Sequence, residues 1–312
     1  MAWLEITVNT TPDGVAETAA ALTAAGFSEL VIEDQQEFED FLEQNRACWD
    51  YIDESLQKRL QGLSRIKLYL EEEEVDSLSR LKALSQRLEL TVEISKMEDT
   101  DWSESWKDNY PPVEIGGSMV ILPYWLAEGY SGCRTPVILD PGLTFGTGAH
   151  PSTQMVIEAM EDAVKPGWRC LDLGSGSGIL SIAALRLGAK TAVGVDIDPK
   201  AEDIARENAG YNGFSTPEFT ALTGNVTTDK PLMQALAGSY DLVLVNIVAD
   251  VIISLAPALP AFLSEQSLLV CSGILDSRLA DVTAALEKAG LTVTQTRARE
   301  DWRCITAKRS TL

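Results

Sequence analysis

Basic side chains are scarce in this sequence. Its 312 residues hold 25 lysines and arginines against 47 aspartates and glutamates, a formal net charge of −22. A nucleic-acid binder needs a basic footprint to neutralise phosphates, so that class of function is excluded in the first instance. Histidine is almost missing, with His150 the only one. The five cysteines, Cys48, Cys133, Cys170, Cys271 and Cys304, are scattered, odd in number and without a CxxC spacing. That speaks against a cysteine-built zinc site and a disulfide framework, and fits reduced thiols in a cytosol. The start, MAWLEITVNT, lacks the basic stretch and apolar core of a secretory signal. Long uninterrupted hydrophobic runs are lacking too. The most apolar stretch, Leu242–Leu263, is broken by Asn246, Asp250, Pro257 and Pro260. It suits a buried strand and a following helix better than a membrane span. A soluble, cytoplasmic chain with no metal, no membrane contact and no nucleic-acid partner is expected.

What is present is the composition of a globular protein, 45% hydrophobic and 23% charged. The length allows two domains, each with its own core. The charge is unevenly spread: residues 1–100 hold 22 acidic and 9 basic side chains, a net of −13. Under a third of the chain thus carries more than half the excess, which makes this part the candidate for steering a basic partner.

In chain order, WLEITV at residues 3–8 reads as a strand and Asp13–Ala25 as a helix closed by Gly26. Glu29–Ile32 is a second strand, followed by an acidic insertion from Glu33 to Asp53. Strand Arg65–Leu70, helix Glu74–Leu88 and strand Leu90–Ile94 complete a βαβ–βαβ order, which suggests a small ferredoxin-like α+β domain over residues 1–96. Residues 97–125 gather Trp102, Trp106, Tyr110, Tyr124 and Trp125 beside Pro111, Pro112, Gly116 and Gly117. They read as an interdomain junction, with interface packing the main use of the aromatics and ligand contact the lesser one. Residues 126–312 form the second domain. Its loop DPGLTFGTGAHPST, from Asp140 to Thr153, runs into a helix at Gln154–Val164. From Cys170 onward strands and helices alternate, ending in two strands, Leu291–Ala298 and Trp302–Ala307, close enough to pair as a hairpin. The alternation predicts a doubly wound, Rossmann-like parallel sheet with an antiparallel strand at its end.

The organising stretch is LDLGSGSGIL, residues 171–180. An apolar strand ends on Asp172, and glycines follow at 174, 176 and 178 before an Ala/Leu-rich helix. A strand that enters a helix through such a turn lets backbone N–H groups approach a ligand that a Cβ would block. A dinucleotide fingerprint spaces its glycines G-x-G-x-x-G around a pyrophosphate. Here the spacing differs, and Asp172 before the glycines suits a cofactor with a cationic amine and no diphosphate. Asp196, ending the next strand, accepts ribose hydroxyls in cofactors of both kinds. NAD-type binding stays as the alternative.

A D-x-G-x-G-x-G turn with an acidic second strand resembles the Rossmann-like S-adenosylmethionine-dependent methyltransferases. Together with WLEI, DWSESWKDNYPP, DPGLTFGTGAHPST, GVDIDPKA, VNIVA, SGIL at 272–275 and EDWRCITAKR, it is similar to the family that methylates ribosomal protein L-eleven (L11). The resemblance covers nearly the whole chain and is weakest over residues 33–62. It implies a substrate-recognition domain flexibly joined to a catalytic domain, S-adenosyl-L-methionine as cofactor, and N-methylation of lysines and the α-amino group of L11. It implies cofactor contacts at Thr153, Gly174, Asp196 and Asn246. Phe145, Thr147 and His150 in the loop, with Asp172 and Gly176 in the turn, join them as candidates. Ser175 stands where the family usually has cysteine, and Ala149 precedes the histidine.

Methyl transfer from a sulfonium to an amine needs alignment and desolvation more than acid–base chemistry. A lysine, whose ordinary pKa is about 10.4, must first lose a proton. Asn246 is the candidate catalytic residue, its amide oxygen orienting the amine; the alternative is that it only caps the following helix. His150 and Asp250 are candidate bases, with a water chain equally serviceable, and a loop hydrogen bond is the other use for His150. A monomer is expected. The competing functions are N-methylation of another basic protein or of a small molecule, and a non-catalytic S-adenosylmethionine-binding module.

Overall fold

The computed structural model describes residues 3–27, 30–35, 62–71, 74–88, 90–97, 110–141 and 148–310. Most of the acidic insertion, Trp102 and Trp106, and both Phe145 and Thr147 lie outside the described residues. The chain divides into two compact units, Met1–Asn109 and Tyr110–Leu312.

In the first unit, period-two alternation sorts each strand's side chains between two faces. Strand β1 (Trp3–Asn9) buries Leu4, Ile6 and Val8, and β3 (Ser64–Glu71) buries Ile66, Leu68 and Leu70 opposite them. Helices α1 (Val15–Ala24) and α2 (Val75–Arg87) add Leu22, Leu81 and Leu84 to the same core. Gly26, at φ +93°, ends the first helical segment in the left-handed region that glycine adopts freely. With β2 (Val31–Asp34) and β4 (Thr91–Met97) the sheet order is β2-β3-β1-β4, every pair antiparallel. Glu33 and Asp34 therefore belong to β2 and not to an insertion. Asp34 is buried and accepts a 2.6 Å bond from the Ser64 hydroxyl. On the opposite face Arg65 pairs with Glu33, and Lys67 with Glu5.

The second unit begins earlier than the sequence suggests. Part of the presumed junction is built into it: β5 (Val113–Ile115), β6 (Met119–Pro123) and β7 (Thr135–Leu139) form a three-stranded sheet in that order. All five residues of β6 are apolar and buried, so the strand reads as core. The turn at Gly116 and Gly117 is held by Glu161 of helix α3 (Pro151–Ala163), which accepts from the amides of Gly117 and Ser118 and from the Ser118 hydroxyl.

The large sheet contains β8 (Arg169–Leu173), β9 (Thr191–Asp196), β10 (Phe219–Thr223), β11 (Tyr240–Asn246), β12 (Leu263–Leu275), β13 (Leu291–Arg299) and β14 (Trp302–Arg309). Its order is β10-β9-β8-β11-β12-β14-β13. The first five are parallel, and β14 runs antiparallel to both neighbours. The antiparallel strand thus lies inside the edge strand β13, not at the sheet's end. Helices α4 (Ile179–Arg186), α5 (Pro199–Tyr211), α6 (Lys230–Ala235), α7 (Ala249–Leu255) and α8 (Leu279–Lys288) connect the strands. Where one long helix to Leu263 is expected, α7 stops at Leu255 and a 3-10 turn covers Leu259–Phe262. Pro257 and Pro260 lack the N–H groups that a continuous helix requires. Among the described residues no helix is long and apolar enough to cross a membrane.

Alternation divides the sheet's core between its faces. Cys170, Leu242 and Leu244 pack on the α3–α4 side, whereas Leu171, Leu173, Val243 and Val245 pack with α7 and α8. From β8 the chain winds outward to β9 and β10, then returns to lay β11 on the other flank of β8. The carboxyl ends of β8 and β11 thereby frame a topological switch point, where open α/β sheets leave a crevice.

Partial burial raises the Glu161 carboxyl, but the bonds donated by Ser118, Gly117 and Met119 outweigh it and hold it below its ordinary value. A lowered folded value means stability that is present above the unfolded value and is lost as pH falls. Glu161→Gln is expected to cost about 1–2 kcal/mol at neutral pH. The gap should narrow as pH falls below the ordinary glutamate value of about 4.3 and close once the wild-type carboxyl protonates at its lowered folded value. Thermal unfolding of both proteins across that range checks it; a gap independent of pH would contradict it.

Candidate functional site

The glycine turn sits at the end of β8. Gly174, Gly176 and Gly178 have φ values of +81°, +50° and +78°, the left-handed region closed to most side chains. Two of them also allow close packing. A Cβ at Gly174 would overlap the Ile247 side chain, and one at Gly178 would lie 3.0 Å from the Cβ of Ala205. The turn's N–H groups are spent within the protein. Gly174 and Ser175 both donate to the Val195 carbonyl, at 2.8 and 3.1 Å. Gly176 donates to Asp196 Oδ2 at 2.8 Å, and Gly178 to the Ser175 carbonyl at 2.8 Å. These four amides do not form an open anion cradle, contrary to the expectation of N–H groups directed at a ligand.

Asp172 is fully buried. Its Oδ2 accepts from the Ser181 amide at 3.1 Å and the Ser181 hydroxyl at 2.9 Å, but its Oδ1 has no partner in the protein. Burial pushes its pKa up to about 7 against the pull of the Ser181 bonds, with the Asp196 charge adding to the rise. A buried oxygen left unpaired costs free energy that a ligand donor can recover. Ser181 went unnoticed in the sequence; a hydroxyl in the first turn of an Ala/Leu helix, nine residues after the acid, is the signal.

Asp196 ends β9. Each oxygen accepts one backbone amide, Oδ2 from Gly176 and Oδ1 from Asp198 at 3.0 Å. A carboxylate offers about four acceptor positions, so room for two hydroxyl donors remains. The next residue, Ile197, is 66% exposed, the most exposed large hydrophobic side chain in the described chain. Sequence inspection also passed over it, because a lone apolar residue after an acid carries no periodic signal.

Across the switch point, Asn246 ends β11 and donates through Nδ2 to the Thr153 hydroxyl at 3.3 Å. Thr153 is buried in the first turn of α3. The two candidates are therefore in contact, and the Asn246 amide oxygen is left for another donor. Asn246 does not cap α7: the N-cap is Val248, which follows Ile247, so the helix starts too late for the asparagine to reach it. His150 is the N-cap of α3. Its Nδ1 lies 2.7 Å from the Ser152 hydroxyl and accepts from the Ser152 amide at 3.2 Å. The ring stands edge-on to Trp302 at 4.6 Å, and burial lowers its pKa despite the Glu300 charge. Asp250, the other candidate base, pairs with Arg278 at 2.5 Å, and that bond keeps its carboxyl below the ordinary value. It is committed to an ion pair and poorly suited to take a proton. Among the described residues no group of three or more His, Cys, Asp or Glu side chains could hold a metal ion.

The structure thus brings together Asp172, Gly174, Gly176 and Asp196 around the turn, and Thr153 with Asn246 across from it. A folded Asp pKa above its unfolded value near 4 means that stability falls as pH rises from about 4 and that the loss is complete above about 7. Asp172→Asn removes the buried charge. Its melting temperature at about pH 8 is expected to exceed that of the wild type by several degrees, with the gap shrinking toward about pH 5. An equal melting temperature at both pH values would contradict a buried carboxylate that titrates near neutrality.

Residues 2–310 match the model of a family described as ribosomal protein L11 methyltransferase (PrmA). Curated relatives with the name ribosomal protein L11 methyltransferase include those of Caldicellulosiruptor saccharolyticus and Heliobacterium modesticaldum. The first is 34% identical over 318 residues, covering 99% of this chain and 100% of the relative. The second is 35% identical over 324 residues, covering 99% and 98%. A solved structure of ribosomal protein L11 methylase from Lactobacillus delbrueckii subsp. bulgaricus superposes with a TM-score of 0.58 at 29% identity, covering 65% of this chain and all of that one. The large mixed sheet with helices on both faces is the α/β methyltransferase fold. The chain belongs to the ribosomal protein L11 methyltransferase family.

Proposed function

We propose that this chain transfers methyl groups from S-adenosyl-L-methionine to lysine and N-terminal amino groups of ribosomal protein L11. The observation that carries the cofactor assignment is the state of the turn. Four of its amides are satisfied internally, and two carboxylates, Asp172 and Asp196, stand beside it. A diphosphate would meet like charge and no open cradle, whereas a cation with ribose hydroxyls meets acceptors. The unpaired Oδ1 of Asp172 fits a cationic donor, the Asp196 oxygens fit the ribose, and Ile197 offers an apolar wall to an adenine ring. Thr153, Gly174, Gly176 and Asn246 complete the proposed contacts, together with Phe145, Thr147 and His150 of the preceding loop.

When bound, S-adenosylmethionine supplies a methyl group already activated on a sulfonium. The protein's task is then to align and desolvate the amine. Asn246, its Nδ2 held by Thr153, presents its amide oxygen to an amine N–H and so aims the lone pair. No described side chain is placed as a strong base: His150 Nδ1 is occupied by its cap bonds and Asp250 by Arg278. The proton leaves to water, and burial beside a positive charge favours the neutral amine.

The family membership supports L11 as the substrate, and charge supports a basic macromolecule. Residues 1–96 act in this proposal as a ferredoxin-like recognition domain, a reading supported by their βαββαβ order and β2-β3-β1-β4 sheet. Residues 97–125 join it to the catalytic domain, although Tyr110 onward packs with the latter. The outward sheet face carries Glu5, Glu33 and Glu93, with Glu33 and Glu5 paired to Arg65 and Lys67 on that face, so the support comes from the net charge of −13 over residues 1–100. Asn246→Ala is expected to lower turnover on L11 by about a hundredfold or more, since misaligning the amine wastes most of the proximity gain. Its melting temperature should stay close to that of the wild type. Near-normal turnover would contradict the role given to Asn246.

A further inference from the structure

Helix α5 and its C-cap carry two asparagines four residues apart, Asn208 within the helix and Asn212 capping it, on a face otherwise lined by Ala201, Ala205 and Ala209. Both are buried, Asn208 completely. A buried side-chain amide is costly unless each of its groups finds a partner, and these do. Asn212 works as a stand-in for a neighbouring strand at β7, an edge of its three-stranded sheet. Its Oδ1 accepts from the Ile138 amide at 2.9 Å, and its Nδ2 donates to the Ile138 carbonyl at 2.7 Å. The same Nδ2 donates to the Asn208 carbonyl at 2.7 Å, tying the pair together. Asn208 continues the pattern. Its Oδ1 accepts from the Asp140 amide at 2.8 Å, two residues further along, and its Nδ2 donates to the Ser177 carbonyl at 2.8 Å.

Ser177 lies between Gly176 and Gly178, so one side chain joins the end of β7 to the glycine turn. We infer that Asn208 is a positioning residue of the cofactor site, holding the turn in the single conformation that binds the methyl donor. The inference rests on the proposed S-adenosylmethionine site. Three consecutive left-handed glycines at alternate positions give the turn many accessible backbone states, and glycine has little intrinsic preference among them. The Val195 and Asp196 bonds fix its first half, and the Asn208 bond fixes its second half. When the competent state is only partly populated, apparent affinity falls by that fraction. Without Asn208, the Asp140 amide and the Ser177 carbonyl each lose this bond at once.

The test is calorimetric titration of S-adenosylmethionine into the full chain, with amide exchange followed at Asp140 and Gly178. The proteins are the wild type, Asn208→Ala, the milder Asn208→Ser, and Val282→Ala. Val282 is fully buried in α8, on the far face of the sheet from α5, and provides a destabilised control. Both Asn208 variants are expected to raise the dissociation constant about tenfold and to exchange about tenfold faster at the two amides, the change equivalent to one lost buried hydrogen bond. Val282→Ala should stay within about twofold on both readouts despite its lower melting temperature. Unchanged affinity in the Asn208 variants, or an equal loss in Val282→Ala, would overturn the inference. Failure of the wild type to bind would contradict the cofactor assignment itself. The exchange rates would then still decide whether Asn208 holds the turn: faster exchange at Asp140 and Gly178 supports it, unchanged exchange overturns it.

Discussion

The carboxylate of Asp172 is buried at the end of β8 with only one of its two oxygens hydrogen-bonded. Few arrangements are less favourable to a folded chain, and the surrounding structure is shaped to tolerate it. Ser181 supplies two bonds from the first turn of α4, which fixes how that helix leaves the glycine turn. The turn in turn leans on β9 through Val195 and Asp196 and on α5 through Asn208. In the proposed cofactor site, a half-satisfied acid of this kind suits a cation, whose binding would recover stability given up in the folded chain.

That arrangement also explains why the position matters more than the motif. The switch point between β8 and β11 places Asn246 across from the turn, and α3 brings Thr153 to it. The N-terminus of α3 is secured from the C-terminal hairpin: Trp302 of β14 meets the His150 ring, and Arg299 of β13 bonds Gln154 and Glu158. Residues more than a hundred positions apart in sequence are thereby held in one small region. The proposed division of labour follows from it, with carboxylates and glycines holding the cofactor and the Thr153–Asn246 pair placed where cofactor and amine would meet.

Much of this was legible in the sequence, and the exceptions have physical reasons. The alternating strands and helices from Cys170 onward were readable because parallel strands are nearly all apolar and their helices amphipathic. The turn and its acids were readable because glycine at φ above zero leaves a fixed spacing. The three-stranded sheet at 113–139 was not, since its strands are short and surrounded by Gly, Pro and aromatic residues that also suit a junction. The break in the helix after Leu255 was signalled by Pro257 and Pro260 but set against a long apolar run. Ser181, Ile197 and the Asn208–Asn212 pair escaped because each acts through one contact fixed by tertiary packing, which no local pattern encodes. Asn246 as a helix cap failed for the opposite reason, a local rule overridden by where α7 begins.

The most direct test of the methyltransferase assignment is intact-mass analysis of ribosomal proteins from cells lacking this activity, incubated with the chain and S-adenosylmethionine. Mass gained in steps of one methyl group, confined to L11, is the expected result. No gain on L11 under conditions where the chain binds the cofactor would contradict it.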